Sequence, residues 1–540
     1  MSLRARTAGK GCIGGDPMTL CRPLAMRGLR TECPWPPEAA PLLFAASFTL
    51  YLLLTLLIDA LAAPRGRFAG RPLWGQLTAV LTLSLLFAAW FAVSWRPIFA
   101  AVSALITYTI IVLISDYKFR NVQEPLNFVD FALIPQIWRH PVLYQAPYLH
   151  HPAFFAGIAV LLGIIVLWCR FVEPSLLPDG HVWDVAVPAG VVLATVIGWA
   201  VAGPLPSRLT AAVHRRMMPA DSTRHVRVLG LAASLAAGLV GWRHAATRSR
   251  TWPVAVPPVR PLPDGPSPVV IAVQSESFMD LRRAGLHDVK LPGLEHARSQ
   301  ALAYGRVAVP VQGAWTLRSE FAFLAGCPLD EFGLDALHPY LRLAKPPRTL
   351  AHHLRDAGFA TAFVHPFDLD FFNRRVAMPR LGFDRLVDEG DFAGVAREGY
   401  YVPDMALAEY ALAMAAKEKR PLFCMIATME NHNPWDKDRL PGIETPVDRY
   451  VYHLRNADRM IAHLIAGIER LGRPAVLAFY GDHVPTMPEL ADPFPDPRTD
   501  YFVMGYRDGA WLPGQPRDCA LHEMADTILD ALAWACDRPA

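Results

Sequence analysis

The sequence predicts two unlike halves: an N-terminal α-helical membrane domain of about five transmembrane helices, and a C-terminal α/β domain built on a largely parallel sheet. Three observations lead there. Hydrophobic residues make up 53% of the 540, the mean hydropathy is +0.22, and apolar runs of spanning length are confined to the first half. A proline-dense stretch, WPVAVPPVRPLPDGPSP at 252–268, then intervenes; it can be neither helix nor central strand and reads as an extended spacer. Past it, short apolar runs alternate with helical stretches, the pattern of a sheet with right-handed crossovers. The expected units are 1–40, a disordered or mis-started N-terminus; 41–205, the membrane domain; 206–266, an interfacial segment and linker; and 267–540, the α/β domain.

Taken in order, residues 1–40 hold Cys12, Cys21 and Cys33 and no periodic apolar pattern, with Met18 and Met26 as alternative starts. No short apolar core with a small-residue cleavage site is present, so the first span is expected to act as the signal. The five runs are Pro41–Ile58, Pro72–Trp95, Pro97–Ser115, Pro152–Cys169 and Val185–Leu205, each near the roughly 20 residues that cross the hydrocarbon core. A sixth run, Val228–Trp242, is shorter and flanked by Arg227 and Arg243; it could span, lie at the interface or pack on the protein. Positive charge does not decide topology. Arg4, Arg6, Lys10, Arg22, Arg27 and Arg30 favour a cytoplasmic N-terminus, whereas Arg65, Arg67, Arg71, Arg208, Arg215, Arg216, Arg224 and Arg227 pull the other way.

Net charge is +3 and no basic stripe with interleaved aromatics occurs, so a nucleic-acid partner is not expected. The eight cysteines lack CxxC spacing, which indicates neither a zinc cluster nor a disulfide framework. Cys519 and Cys536 either pair or remain free thiols.

In the second half, runs at 269–273, 302–309, 361–365, 422–428, 475–480 and 501–506 read as buried strands, with helices at Arg348–Ala357, Pro403–Lys417 and Asp448–Leu471 between them. In such sheets functional groups gather beyond the carboxyl ends of strands. That rule selects Glu276, His365, Glu430 with His432, and Asp482 with His483. Carboxylate oxygens and imidazole nitrogens suit a divalent cation with an open position. QGAWTLRSEFAFLAG (312–326) adds hydroxyls at a helix start after a glycine-containing loop, Thr316 and Ser319 both being candidate nucleophiles. Each motif alone also has a plain structural reading: Asp482 as a turn residue, Thr316 as a helix cap.

Together, VQSESF, GAWTLRSEF, FVHPFDLDFFNRR, ENHNPW and YGDHVP occur in the order seen in the lipoteichoic acid synthase and phosphoglycerol transferase group, and the chain resembles that group of the alkaline phosphatase and sulfatase superfamily. The resemblance implies an alkaline phosphatase/sulfatase-like domain in which Glu276, Asp482 and His483 bind one metal ion, with Thr316 as nucleophile and fourth ligand. It favours Thr316 over Ser319, and implies a substrate site lined by His365, Phe372, Asn373, Arg374 and His432. Phe372 stands where the group carries Trp, and Phe367 where it carries an acid, so the reaction type is better defined than the group transferred. The implied cofactor is a divalent ion, manganese first, with magnesium and zinc as alternatives. The implied reaction moves a phosphoglycerol-type head group from a membrane phospholipid, phosphatidylglycerol first, through phospho-Thr316 to an envelope glycan, His432 and Arg374 neutralising the phosphate. It implies a multi-pass inner-membrane protein with a periplasmic catalytic domain. A phosphoethanolamine transferase, a hydrolase of the same fold and an inactive envelope assembly factor are the alternatives. The segment at 124–151, with Trp138, Tyr144 and Tyr148, is either part of a donor path or an aromatic-anchored loop.

Overall fold

The computed structural model describes residues 39–140, 151–177, parts of 185–196, 206–246, 256–259, 265–343, 346–491 and 493–537. Among the described residues, three helices are long and apolar enough to cross a membrane: α1 (Ala39–Leu61), α2 (Leu73–Ser94) and α3 (Pro97–Val122). Their outward faces carry Leu53, Leu57, Leu77, Leu81 and Ile106, all more than half exposed. A bilayer covers such a surface at no cost, whereas water does not. Their inward faces meet through Tyr51, Phe87, Ala100 and Ala104, and the Tyr51 hydroxyl donates to the Leu83 carbonyl at 2.9 Å, as a polar group in hydrocarbon must.

The fourth apolar run forms a 16-residue helix, Pro152–Leu167, continued by a π-helical turn over Trp168–Val172. It is shorter than the three spans. The fifth run, Val185–Leu205, lies largely outside the described residues, as do residues 1–38 and most of the proline-rich linker. The structure thus supplies three spans of the five expected. An odd number places the start of α1 and the end of α3 on opposite faces.

The sixth run does not continue as one helix. It breaks at Gly230, φ +83°, between Ser222–Leu229 and α4 (Leu231–Ala246). Asp59, at the end of α1, sets the break: its Oδ1 accepts from the Leu231 amide at 2.9 Å, placing a carboxylate at a helix N-terminus. A Cβ on residue 230 would fall 2.2 Å from the other Asp59 oxygen, so only glycine fits. Farther along α4, Arg342 stacks over Trp242 at 3.9 Å. The run therefore packs on the protein, bridging the spans to the α/β domain.

The main strands are, in chain order, β1 (Val269–Ser275), β2 (Ala303–Ala308), β3 (Ala360–Val364), β4 (Arg385–Val387), β5 (Leu422–Ala427), β6 (Ala475–Gly481) and β7 (Thr499–Arg507), with three two-residue strands near the C-terminus. They form one sheet in the order β2-β7-β6-β1-β5-β3-β4. From β6 to β4 neighbouring strands are parallel, while β7 is antiparallel to both β6 and β2. β1 is buried on both faces: Val270 and Ala272 join the core that contains α5 (Thr316–Ala325), whereas Val269, Ile271 and Val273 join the core under α6 (Pro446–Leu471). That two-sided burial is why its sequence is a continuous apolar run. α6 starts two residues before the expected Asp448, because Thr445 accepts from the Asp448 amide and Pro446 occupies the first turn. Cys519 and Cys536 are free thiols.

Candidate metal centre and active site

β1 and β6 run parallel in a register that pairs Ser275 with Gly481. The next residue of each strand is therefore Glu276 on one and Asp482 on the other, side by side at the carboxyl edge. His483 follows. Acidic and imidazole atoms of Glu276, Asp482 and His483 lie within 4.8 Å of one another, all three residues buried. Nε2 of His483 is 3.4 Å from Glu276 Oε1 and 3.4 Å from Asp482 Oδ2. Its Nδ1 donates to the Val484 carbonyl at 3.0 Å, which leaves Nε2 with a lone pair towards the carboxylates. Asp482 Oδ1 accepts from the amides of Ser277 and His483, each at 2.8 Å.

Asp482 Oδ2 is buried without a hydrogen-bond partner. Burial, and then the charge of Glu276 beside it, push the Asp482 carboxyl up to about 7. For His483 burial acts downward, but the Asp482 and Glu276 charges outweigh it and raise the imidazole. Two carboxylates and an imidazole nitrogen, one oxygen orphaned, form a donor set that fits a divalent cation.

Thr316 opens α5, and its hydroxyl is 3.5 Å from Glu276 Oε2. Ser319, the other candidate, is fully buried and donates to the Asp482 carbonyl at 2.7 Å, so its hydroxyl ties α5 to the ligand loop. Four of the seven described non-glycine residues with positive φ border this edge: Ser277, Trp315, Phe372 and Asn373. Such strain concentrates where the surroundings over-determine geometry. Trp315 and Phe372 stack at 6.0 Å, giving one aromatic wall.

His365, after β3, donates from Nδ1 to the Ala427 carbonyl at 3.0 Å. Its Nε2 accepts from Arg374 at 3.1 Å. Arg374 also pairs with Glu320 at 3.2 Å, and Tyr340 donates to Glu320 at 2.6 Å. Burial, then Arg374, hold His365 well below the usual imidazole range. The Asn373 side chain donates to the Tyr340 carbonyl at 2.8 Å. His432 is half-buried with Nδ1 donating to the Asn433 carbonyl at 2.6 Å; burial first, with a contribution from His483, brings it down to about 4. It is neutral at neutral pH, with Nε2 as the free nitrogen.

Glu430, which the sequence also points at this edge, turns away. It accepts from the Asp404 amide at 2.7 Å, and from His453 at 2.8 Å and Asn456 at 2.5 Å. Trp138 is 47% exposed, whereas Tyr144 and Tyr148 lie outside the described residues.

One set of residues was missed from sequence. The end of α3 reaches into the α/β domain between the loop that leads to Thr316 and the loop after His483. Glu124 accepts from Arg318 at 2.7 Å, the Lys118 ammonium lies 5.2 Å from the Trp315 ring centroid, and Thr486 donates to the Asn121 carbonyl at 2.7 Å. Gly313, φ +67°, passes so close that a Cβ would fall 2.3 Å from the same carbonyl. No local pattern couples residues nearly 200 positions apart. The only signal was Arg318 itself, a basic residue within the first turn of a helix that is otherwise largely apolar.

The fold and this edge together define an α/β enzyme-type domain carried on a membrane anchor. The sulfatase family profile matches residues 268–527, and the chain is 36% identical over 467 residues to the capsular polysaccharide biosynthesis protein RkpI of Rhizobium meliloti, covering 83% of this chain and 86% of that protein. The chain belongs to the same family as RkpI, and its residues 268–527 form a sulfatase-family domain. Among solved structures it is similar to the Streptococcus pyogenes phosphoglycerol transferase GacH in complex with sn-glycerol-1-phosphate, at 18% identity and TM-score 0.42 over 60% of this chain and 81% of that one. It is similar also to the Listeria monocytogenes lipoteichoic acid synthase LtaP, at 21% identity and TM-score 0.41 over 51% and 75%.

Proposed function

We propose that the protein transfers a phosphoglycerol-type group from a membrane phospholipid, through Thr316, to a hydroxyl of an envelope polysaccharide, with its catalytic domain on the extracytoplasmic face. The observation that carries this reading is the Thr316 hydroxyl at a helix N-terminus, 3.5 Å from a carboxylate of a cation-type donor set. Glu276, Asp482, His483 and Thr316 would hold a divalent ion, manganese first, which supplies positive charge that favours the ionised hydroxyl.

Thr316 Oγ1, its proton given up to water, attacks phosphorus in line, forming the Thr316 O–P bond as the bond to the diacylglycerol oxygen breaks and that oxygen takes a proton from water. The amides at the start of α5 favour the phosphate there. His432, its Nδ1 proton committed to Asn433, offers an Nε2 that takes the proton of the acceptor hydroxyl in the second transfer; the acceptor O–P bond forms, the Thr316 O–P bond breaks, and the proton returns to the Thr316 oxygen. This is a different role from neutralising the phosphate, which the resemblance implies for His432. Arg374, held by Glu320 and His365, orients the pocket wall and lends charge. The polysaccharide acceptor is supported by the kinship with RkpI.

The test is to incubate full-length protein with labelled phosphatidylglycerol or phosphatidylethanolamine and to locate the adduct by peptide mass spectrometry. A phosphoglycerol mass on Thr316 is expected. A phosphoethanolamine mass changes the transferred group; label on another residue, or none with metal bound, overturns the reading.

A further inference from the structure

We infer that the protein carries a second, non-catalytic ligand site: an arginine collar, at the membrane-emergent ends of α1 and α2, that binds the anionic phosphates of phospholipid head groups. Arg65 and Arg67 lie on the loop between these spans, and both are exposed. Two short helices lie beside that loop. Ser207–Arg216 presents Arg208, Arg215 and Arg216, and Ser222–Leu229 presents Arg224 and Arg227, all exposed. Arg208 and Arg215 are seven residues apart and Arg224 and Arg227 three, which keeps each pair on one helix face, with Arg216 next to Arg215 widening the first.

The pieces are held together by close backbone approach. A Cβ on Gly66 would touch the Arg227 backbone at 3.5 Å, and one on Gly75 would fall 2.2 Å from the Val228 carbonyl. The Arg216 guanidinium lies 5.3 Å from the ring of Trp74, in the first turn of α2. Immediately below, Leu73 and Leu77 are 70% and 60% exposed, so the charges ring the top of a lipid-facing surface. That is the depth of head-group phosphates.

The charge is not balanced from within. Among the described residues none of these seven arginines pairs with a carboxylate. Asp59 is buried and engaged by Arg71 at 2.5 Å, and Asp221 accepts from the Arg224 amide at 2.9 Å as a helix cap. Seven guanidiniums without a carboxylate partner, although Arg224 donates to the Met218 carbonyl at 3.1 Å and Arg216 lies over Trp74, are suited to fork-like binding of phosphate oxygens on the side of the sheet domain. The collar would raise the local concentration of an anionic donor such as phosphatidylglycerol. It thus extends the proposed reaction, but its readout is lipid binding alone.

The test uses the full chain in lipid nanodiscs or mixed micelles holding phosphatidylcholine and phosphatidylglycerol, with co-retained lipid counted by native mass spectrometry. Wild type is expected to enrich phosphatidylglycerol. Combined Arg215→Gln, Arg216→Gln and Arg227→Gln should lower that enrichment roughly tenfold or more, since each basic residue near an anionic surface contributes on the order of a fivefold preference. The same three positions changed to Lys should keep most of it, and Arg420→Gln, at the far end of the sheet, should change nothing. Unaltered gel-filtration behaviour of the Gln variant separates charge loss from misfolding. Equal retention of the two lipids by wild type, or equal enrichment by wild type and the Gln variant, overturns the collar. So does arginine-dependent binding of a soluble anionic polysaccharide without lipid enrichment, which would make the surface a glycan dock. Adduct formation on Thr316 is scored separately, so either proposal can fail alone.

Discussion

Two carboxylates, Glu124 largely and Asp482 fully buried, lie on either side of the same helix start and behave in opposite ways. Glu124 comes from the membrane half and meets Arg318; Asp482 comes from the sheet edge and meets Glu276. Burial works against ionising both. At Glu124 the charges of Arg318 and Lys118 overcome it and bring the carboxyl down to about 2. At Asp482 the like charge of Glu276 adds to burial and outweighs the opposing effect of His483, and the carboxyl rises to about 7. The first is a completed ion pair that fastens the membrane domain to α5. The second is an incomplete one, with an oxygen that has no hydrogen-bond partner and only the His483 ring nitrogen 3.4 Å away. A buried charge completed within the chain braces the fold; one left incomplete marks where something else must bind.

The largest test of that contrast is at the incomplete end. Thr316→Ala should abolish the covalent adduct and lower turnover by about 10⁴-fold or more, as loss of a nucleophile does, while metal content measured on the purified protein stays above half of wild type. Turnover within tenfold of wild type would remove Thr316 from the chemistry and leave its hydroxyl a helix cap.

Next in size is the completed pair. Glu124→Gln leaves Arg318 buried without a counter-charge, and removal of one partner from such a pair costs roughly 3–5 kcal/mol. The pH dependence has a definite sign. The folded pKa of about 2 is depressed below the ordinary 4.5, so the pair's stabilisation is present above pH 4.5 and is lost as pH falls from there towards 2, by roughly 3 kcal/mol in all. Thermal melts of detergent-solubilised wild type should decline in that window. The Gln variant should start lower at pH 5 and lack that component of the decline; parallel curves would mean that Glu124 is not the group responsible.

His432→Gln comes third. It keeps the size of the side chain and removes the basic Nε2, for an expected loss of about 10²- to 10³-fold in the second transfer. Adduct on Thr316 should accumulate rather than vanish, because the first transfer does not need that base. Loss of the adduct itself would instead assign His432 to the donor phosphate.

How far these features were legible in the sequence follows from their range. Glu276, Asp482 and His483 were readable because each ends an apolar strand, and the topology of parallel sheets then brings strand ends together. The strands themselves were found within a residue or two, except β4: Arg385–Val387 is a three-residue edge strand with no room for a period. The direction of β7 was not readable, since an apolar run is the same in either orientation. Glu430 was misjudged because strand-end position alone does not say which way a side chain turns; its partners on α6 decide that. Glu124 and Arg318 were invisible, being separated by a whole membrane-to-catalytic connection. The apolar count in the first half was read as five spans, whereas Pro152–Leu167 is too short for the length criterion met by α1–α3, and Val185–Leu205 falls mostly outside the described residues.

The smallest expected effect sharpens the comparison most finely, because Thr316 and Ser319 share one helix and two hydroxyls. Ser319 is fully buried and donates to the Asp482 carbonyl, whereas Thr316 faces the Glu276 carboxylate. Ser319→Ala removes a buried hydrogen bond and leaves the Asp482 carbonyl short of one donor, for an expected stability loss of about 1–2 kcal/mol. Its adduct should still form on Thr316, with turnover reduced by less than about tenfold through a slight loosening of the Asp482 loop. If Ser319→Ala abolished the adduct while its melting temperature stayed at the wild-type value, the two hydroxyls would exchange roles. The completed interaction would then be the one at Thr316.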